Sequence, residues 1–169
     1  MKSNHYTHSL YYKLLIGYLI FGLLGFITIA TISSEMTYHH LVERESEVLY
    51  DEATMIADRC SKAYEGKTIN LDSAYPQIEA VSAYLQSDIW ILNHEGTIVA
   101  DSSDSRTGIA IDDFDPTAQG NRLYSIGQYY NLFDSKVLSV SAPITGNMKT
   151  YGYIVIHMPI QNIEAEQNG

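Results

Sequence analysis

Ile89 to Asp101 reads IWILNHEGTIVAD. Two runs rich in β-branched and aromatic residues, IWILN and TIVAD, flank Asn93-His94-Glu95-Gly96, and glycine stands where a tight turn needs positive φ. The stretch is a β-hairpin. It marks the point where the chain passes from a helical period to a period of two.

Downstream the alternation continues. In Lys136 to Ile144 (KVLSVSAPI), Val137, Ser139 and Ser141 alternate with Leu138, Val140 and Ala142, as in a strand with one dry face. In Tyr151 to Met158 (YGYIVIHM), Tyr153, Val155 and His157 share one face and Ile154, Ile156 and Met158 the other, with Thr145-Gly146-Asn147 beginning the turn between the two runs. One more strand within Leu123 to Phe133 makes about five, arranged as an antiparallel meander. The polar connection from residue 102 to 122 is long enough to be a functional loop, and Asp115-Pro116-Thr117 in it predicts one short helix ending near Gly120.

Upstream the period is helical. Asp72 or Ser73 caps a helix over about 74–87, with Pro76 in its first turn and Ile78, Val81 and Leu85 along one side. Before Gly66, a plausible C-cap, Ser33 to Tyr64 holds no proline or glycine. There Leu41, Val48 and Met55 repeat every seven residues, as do Val42, Leu49 and Ile56, while Glu43, Glu47 and Asp51 occupy other faces. This is an amphipathic helix of about thirty residues. Its stripe serves either its own domain's core or a partner helix. On the second reading Leu41, Val42, Val48, Leu49, Met55 and Ile56 form a parallel homodimer interface.

Leu14 to Ile32 (LLIGYLIFGLLGFITIATI) is nineteen residues without a charge. As a helix it spans roughly 28 Å, matching a bilayer core of about 30 Å. Two readings compete, an uncleaved anchor and a signal peptide. The anchor is favoured because the apolar run is long and a helical pattern continues from its end. Residues 1–13 carry Lys2 and Lys13 and no acid, so positive-inside bias places the N-terminus in the cytoplasm and the remainder outside. Ten Lys plus Arg stand against twenty Asp plus Glu, a net charge of −10 that opposes nucleic-acid binding. The single cysteine, Cys60, makes no intrachain disulfide.

The order of these pieces, an N-terminal membrane helix, a long exported helix, then IWILNHEGTIVADSS, a loop containing DFDPT, LSVSAPI and YGYIVIHMPI, resembles the extracytoplasmic PDC (single Cache) sensor region of Gram-positive membrane-bound sensor histidine kinases. The resemblance implies an α+β, PAS-like fold with these domains: 1–13 a cytoplasmic tail, 14–32 a transmembrane helix, and 33–169 an extracellular sensor with its long helix over about 33–64 and its sheet over about 89–158. It implies a two-component signal-transduction role, with ligand or envelope state passed through membrane helices to a cytoplasmic ATP-dependent kinase. Chemoreceptors and cyclic-dinucleotide enzymes carry similar sensors, and a stand-alone anchored binding protein is the alternative from another class. The catalytic core itself, with its HAMP linker and phospho-accepting histidine, has no counterpart in the sequence, so no cofactor is expected.

Related sensors grip ligand carboxylates with cationic side chains around this pocket. Arg106, in the polar loop after the hairpin, is the candidate here, with an ion pair to Asp101 or Asp104 as its alternative role. Tyr129, Tyr130, Tyr153 and His157 are candidate pocket residues beside Asp101 for a small-molecule ligand. Asp112 and Asp113, close to Asp115, are weak metal candidates whose spacing does not match an EF-hand, and no metal is assigned. No Ser-His-Asp, Cys-His or paired-carboxylate pattern recommends catalysis.

Overall fold

The computed structural model describes residues 5–62, 64–65, 68–69, 71–117 and 124–167. In chain order the elements are α1 (His5–Lys62), β1 (Tyr64–Glu65), β2 (Thr68–Ile69), α2 (Leu71–Leu85), β3 (Asp88–Asn93), β4 (Ile98–Asp101), β5 (Tyr124–Gly127), β6 (Val137–Gly146), β7 (Lys149–Pro159) and α3 (Ile160–Gln167). The chain divides into two units, Met1–His40 and Leu41–Gly169.

Within the first unit, Leu14, Tyr18, Phe21, Leu23, Phe26 and Ile29 are all exposed. A helix that is apolar all round needs an apolar surrounding, and this one is long and apolar enough to cross a membrane. Two of its hydroxyls are satisfied within the helix: Thr28 and Thr31 donate back to the carbonyls of Leu24 and Ile27.

The second unit is built on a five-stranded antiparallel sheet in the order β4-β3-β7-β6-β5. A plain meander was the expectation from the sequence, and it would leave β3 at an edge. However, Ile89, Trp90, Ile91 and Leu92 are consecutive and fully buried, so β3 is dry on both faces and takes an inner place between β4 and β7. The hairpin itself forms as read: Gly96 has φ +86, and the Asn93 side chain accepts the N–H groups of Glu95 and Thr97. A Cβ on Gly96 would also lie 2.5 Å from Phe114, which packs against the turn.

Other boundaries move for local reasons. α2 begins at Leu71, so Asp72 and Ser73 fall inside it and Pro76 stands in its second turn. β5 stops at Gly127 because Tyr129, Tyr130 and Asn131 take left-handed φ values of 34, 51 and 59° and turn the chain away. β6 and β7 run to a two-residue turn, Asn147-Met148, with positive φ at both positions as a primed hairpin requires. In place of a helix start, Asp115 accepts the backbone N–H and hydroxyl of Thr117 in a turn; Gly66, Gly120 and Leu123 lie outside the described residues. The β1-β2 ribbon and α3 were not anticipated.

The seven-residue stripe of α1 is corrected in part. Val42, Leu49, Ala53, Ile56, Ala57 and Cys60 are buried within the second unit itself, so Val42, Leu49 and Ile56 offer nothing to a partner helix. Burial also pushes the Cys60 thiol up to about 11. Val48 and Met55 remain 47% and 48% exposed, and Leu41 is half-buried. On the sheet, Ile89, Ile91, Leu138, Val140, Ile154 and Ile156 share one buried face, and α2 packs on β3.

Candidate functional site

The period of two places Trp90 and Leu92 of β3, Ser139 and Ser141 of β6, and Tyr153, Val155 and His157 of β7 on the opposite face. The long connection covers it. Gly108 and Ile109 bond to Ile98, and Ile111 to Gly96, so this segment first runs along the outer edge of β4. Ile111 then joins Trp90, Leu92, Ile98 and Val155 in a buried cluster flanked by Phe114, Tyr129, Leu132, Phe133 and Tyr153.

Asp101 opens this connection and is fully buried. Its Oδ1 accepts the Ser103 N–H at 2.9 Å and its Oδ2 the Arg106 N–H at 3.0 Å, while the Ser103 and Ser105 hydroxyls also donate to it. It is therefore the hub of the turn rather than a ligand group. Arg106 makes neither of its expected ion pairs. Its guanidinium lies 4.7 Å from the Phe133 ring centre and 5.6 Å from that of Trp90, and it donates to the Leu132 carbonyl and the Ser105 hydroxyl. Arg106 is thus engaged by Ser105 of its own loop, by Leu132 and Phe133 of the β5–β6 connection and by Trp90.

His157 is the centre of the face. Its ring centroid is 4.2 Å from that of Trp90, 4.4 Å from Tyr129 and 4.9 Å from Phe133, and its Nδ1 is 2.8 Å from the Ser139 hydroxyl. Burial, followed by the positive charge of Arg106, holds its imidazole well below the usual 6.5. Protonation in the unfolded chain therefore opposes folding below that value. Unfolding free energy should be level above about pH 7 and fall by up to about 1.4 kcal/mol per pH unit below about 6.5. His157→Phe should flatten this dependence between about pH 7 and 5.5 in denaturant titrations; an unchanged slope would refute the assignment. Asp88 acts in the opposite sense and lower, near and above 3.8, because burial and then Asp101 raise its carboxyl.

Burial raises the phenols of Tyr129 and Tyr153. Tyr129 and Tyr130, with Phe114, Ser125 and Ser141, border a cavity of about 320 Å³. The Tyr130 hydroxyl meets the Asp115 backbone, accepting its N–H at 3.1 Å. The structure thus gathers Arg106, Tyr129, Tyr153 and His157 around Trp90, puts Tyr130 at the rim, and assigns Asp101 to the loop. Asp112 and Asp113 are exposed, and no group of three metal-ligating side chains forms among the described residues. Trp90, Phe133 and Phe114 were missed. Trp90 shares the face of Leu92 by alternation, a readable signal, whereas the two phenylalanines reach the site only through the loop's fold.

No protein-family model matches the sequence, and no curated protein matches it. Among solved structures, the sensory domain of the Campylobacter jejuni chemoreceptor Tlp3 with isoleucine bound aligns with a TM-score of 0.58 at 10% identity, over 80% of this chain and 60% of that one. The ligand-binding domain of the same receptor in complex with L-valine gives 0.57 at 11%, over 80% and 60%. Its complex with 4-methylisoleucine gives 0.56 at 10%, over 79% and 58%. The chain spans about 60% of the length of these structures. At such identities the likeness is one of fold, and the fold is PDC/Cache-like, α+β, as the sequence implied.

Proposed function

We propose that the chain is the ligand-sensing portion of a membrane-anchored signalling protein. Residues 14–32 serve as the anchor, the N-terminus is cytoplasmic, and the sensor domain, residues 33–169, is extracellular. The observation that carries this reading is the cavity of about 320 Å³ beside Tyr129 and Tyr130 on the loop-covered face. It is supported by the fold, since the Tlp3 domains of that fold hold isoleucine or L-valine. The output we propose is a Gram-positive sensor histidine kinase of a two-component system. The chemoreceptor neighbours favour a chemoreceptor as the second reading. In either case the signalling unit is a parallel homodimer touching through Leu41, Val48 and Met55, the part of the stripe not taken up by the domain core.

The test is a thermal-shift screen of the 169-residue chain in lipid nanodiscs against amino acids and small carboxylates. A ligand at about 100 times its Kd adds about 2.7 kcal/mol of stability. Tyr130→Ala should erase that shift and lower unliganded stability by only about 1 kcal/mol, the worth of its part-exposed bond to Asp115 and its contact with Tyr129. A screen without a single stabilising compound would count against a sensor. Cysteine crosslinking at Val48 and Met55 in a Cys60→Ser background, absent at Ala53, tests the dimer. A stop codon directly after Gly169 in the gene would overturn the kinase and chemoreceptor readings together.

A further inference from the structure

A second cavity, of about 300 Å³, opens where α2 hands over to the sheet, at the first residue of β3 and the end of β7. Ser87, Asp88, Phe133 and His157 line it. It shares no lining residue with the cavity beside Tyr129 and Tyr130.

Two of the lining side chains carry buried polar atoms that lack partners. Ser87 is 5% exposed and His157 1%, yet the Ser87 Oγ and the His157 Nε2 have no hydrogen-bond partner among the described residues. A buried polar atom left unpaired is costly, so two on one cavity call for an occupant that satisfies them. His157 is neutral and its Nδ1 is engaged by Ser139, so Nε2 is the nitrogen left to bond.

The charge of the cavity selects the occupant. Asp88 is the one charged side chain among the described residues lining it, and none of their side chains donates to its carboxylate. Burial and the neighbouring Asp101 disfavour its negative charge, and Arg106, which partly offsets them, is turned onto Phe133 and Trp90. A cation is what this carboxylate lacks.

We propose that this cavity is a binding site for a small protonated amine that also carries a hydroxyl, with the ammonium on Asp88 and the hydroxyl on Ser87 and His157. Anions are excluded by Asp88, and alcohols without an amine leave the carboxylate uncompensated. The site lies beside the proposed sensor cavity, with the Tyr129–His157 ring contact between them, and is tested separately from it.

Ethanolamine is the probe, titrated calorimetrically into the 169-residue chain in nanodiscs, with propionate and 1-propanol as size-matched comparators. Saturable binding of ethanolamine is expected, with no saturable heat from either comparator. Asp88→Asn should weaken it at least tenfold; the variant is expected to fold, since burial already disfavours the charge it removes. Ser87→Ala, which deletes an unpaired hydroxyl, should also weaken binding without lowering the melting temperature, while Tyr130→Ala should leave it unchanged. The proposal is overturned if ethanolamine gives no saturable heat, as it would if the cavity held water alone. It is equally overturned if propionate binds as well, or if neither Asp88→Asn nor Ser87→Ala alters the titration.

Discussion

Gly152→Ala should cost the second unit, Leu41–Gly169, about 3 kcal/mol or more and lower its melting temperature by about 10 °C. Gly152 lies in β7, the middle strand of the sheet, paired with Asn93 on one side and Ile144 on the other. A Cβ there would sit 2.1 Å from the Leu92 carbonyl oxygen and 3.3 Å from the Asn93 Cα. Both are backbone atoms, so no side-chain rotation relieves the clash and the two strands must separate. Because β3 carries Trp90 and Leu92 in its buried run, separation disturbs the helix-covered and loop-covered faces together. Gly127→Ala is the control, since nothing lies within 4 Å of the added methyl in β5. Its midpoint should stay within about 0.5 kcal/mol of the parent. Equal midpoints for the two variants in urea titrations would show that β3 and β7 are not held at this distance.

What the sequence discloses is what neighbouring residues decide. The hairpin at Asn93 to Gly96 is legible because its turn chemistry and both strands lie within thirteen residues, Ile89 to Asp101. The pairing of β3 with β7 joins Trp90 to Val155, and alternation says nothing about such distant registers. The dryness of β3 on both faces was the available clue to its inner position. The seven-residue stripe of α1 was ambiguous for another reason: the same spacing suits a helix on its own sheet and a helix on a partner, and burial alone divides Leu49 and Ile56 from Val48 and Met55.

The candidate site follows the same division. His157, Tyr153 and Trp90 share a face by the period of two, so their meeting is legible. Arg106 was placed correctly in the covering loop, but its contact with Phe133 depends on the left-handed turn at Tyr129, Tyr130 and Asn131. Tyrosine gives no warning of such a conformation, which costs a side-chain-bearing residue about 1–2 kcal/mol at each position. Packing of Tyr129 and Phe133 against Trp90 and His157 offsets that strain, a tertiary effect with no local signature.

Asp101→Asn should lower stability by about 2–4 kcal/mol although it changes the shape of the side chain hardly at all. The two carboxylate oxygens accept from different backbone groups, Oδ1 from the Ser103 N–H and Oδ2 from the Arg106 N–H. An amide has one oxygen to offer, so whichever way Asn turns, its NH₂ faces a backbone donor and one part-buried N–H loses its partner. The Ser103 and Ser105 hydroxyls can rotate to relieve part of this, but the backbone N–H groups cannot. The loss should reach beyond stability, because the Arg106 backbone bond is what sets the start of its side chain over Phe133 and Trp90. Tryptophan fluorescence then gives a second readout, since Trp90 is the only tryptophan in the chain. Asp101→Asn should perturb its emission in the folded state, whereas Asp104→Asn, at an exposed position of the same loop, should leave it as in the parent. A Asp101→Asn midpoint within about 0.5 kcal/mol of the parent would mean that the turn does not depend on the carboxylate, and would return Asp101 to the ligand role first read for it.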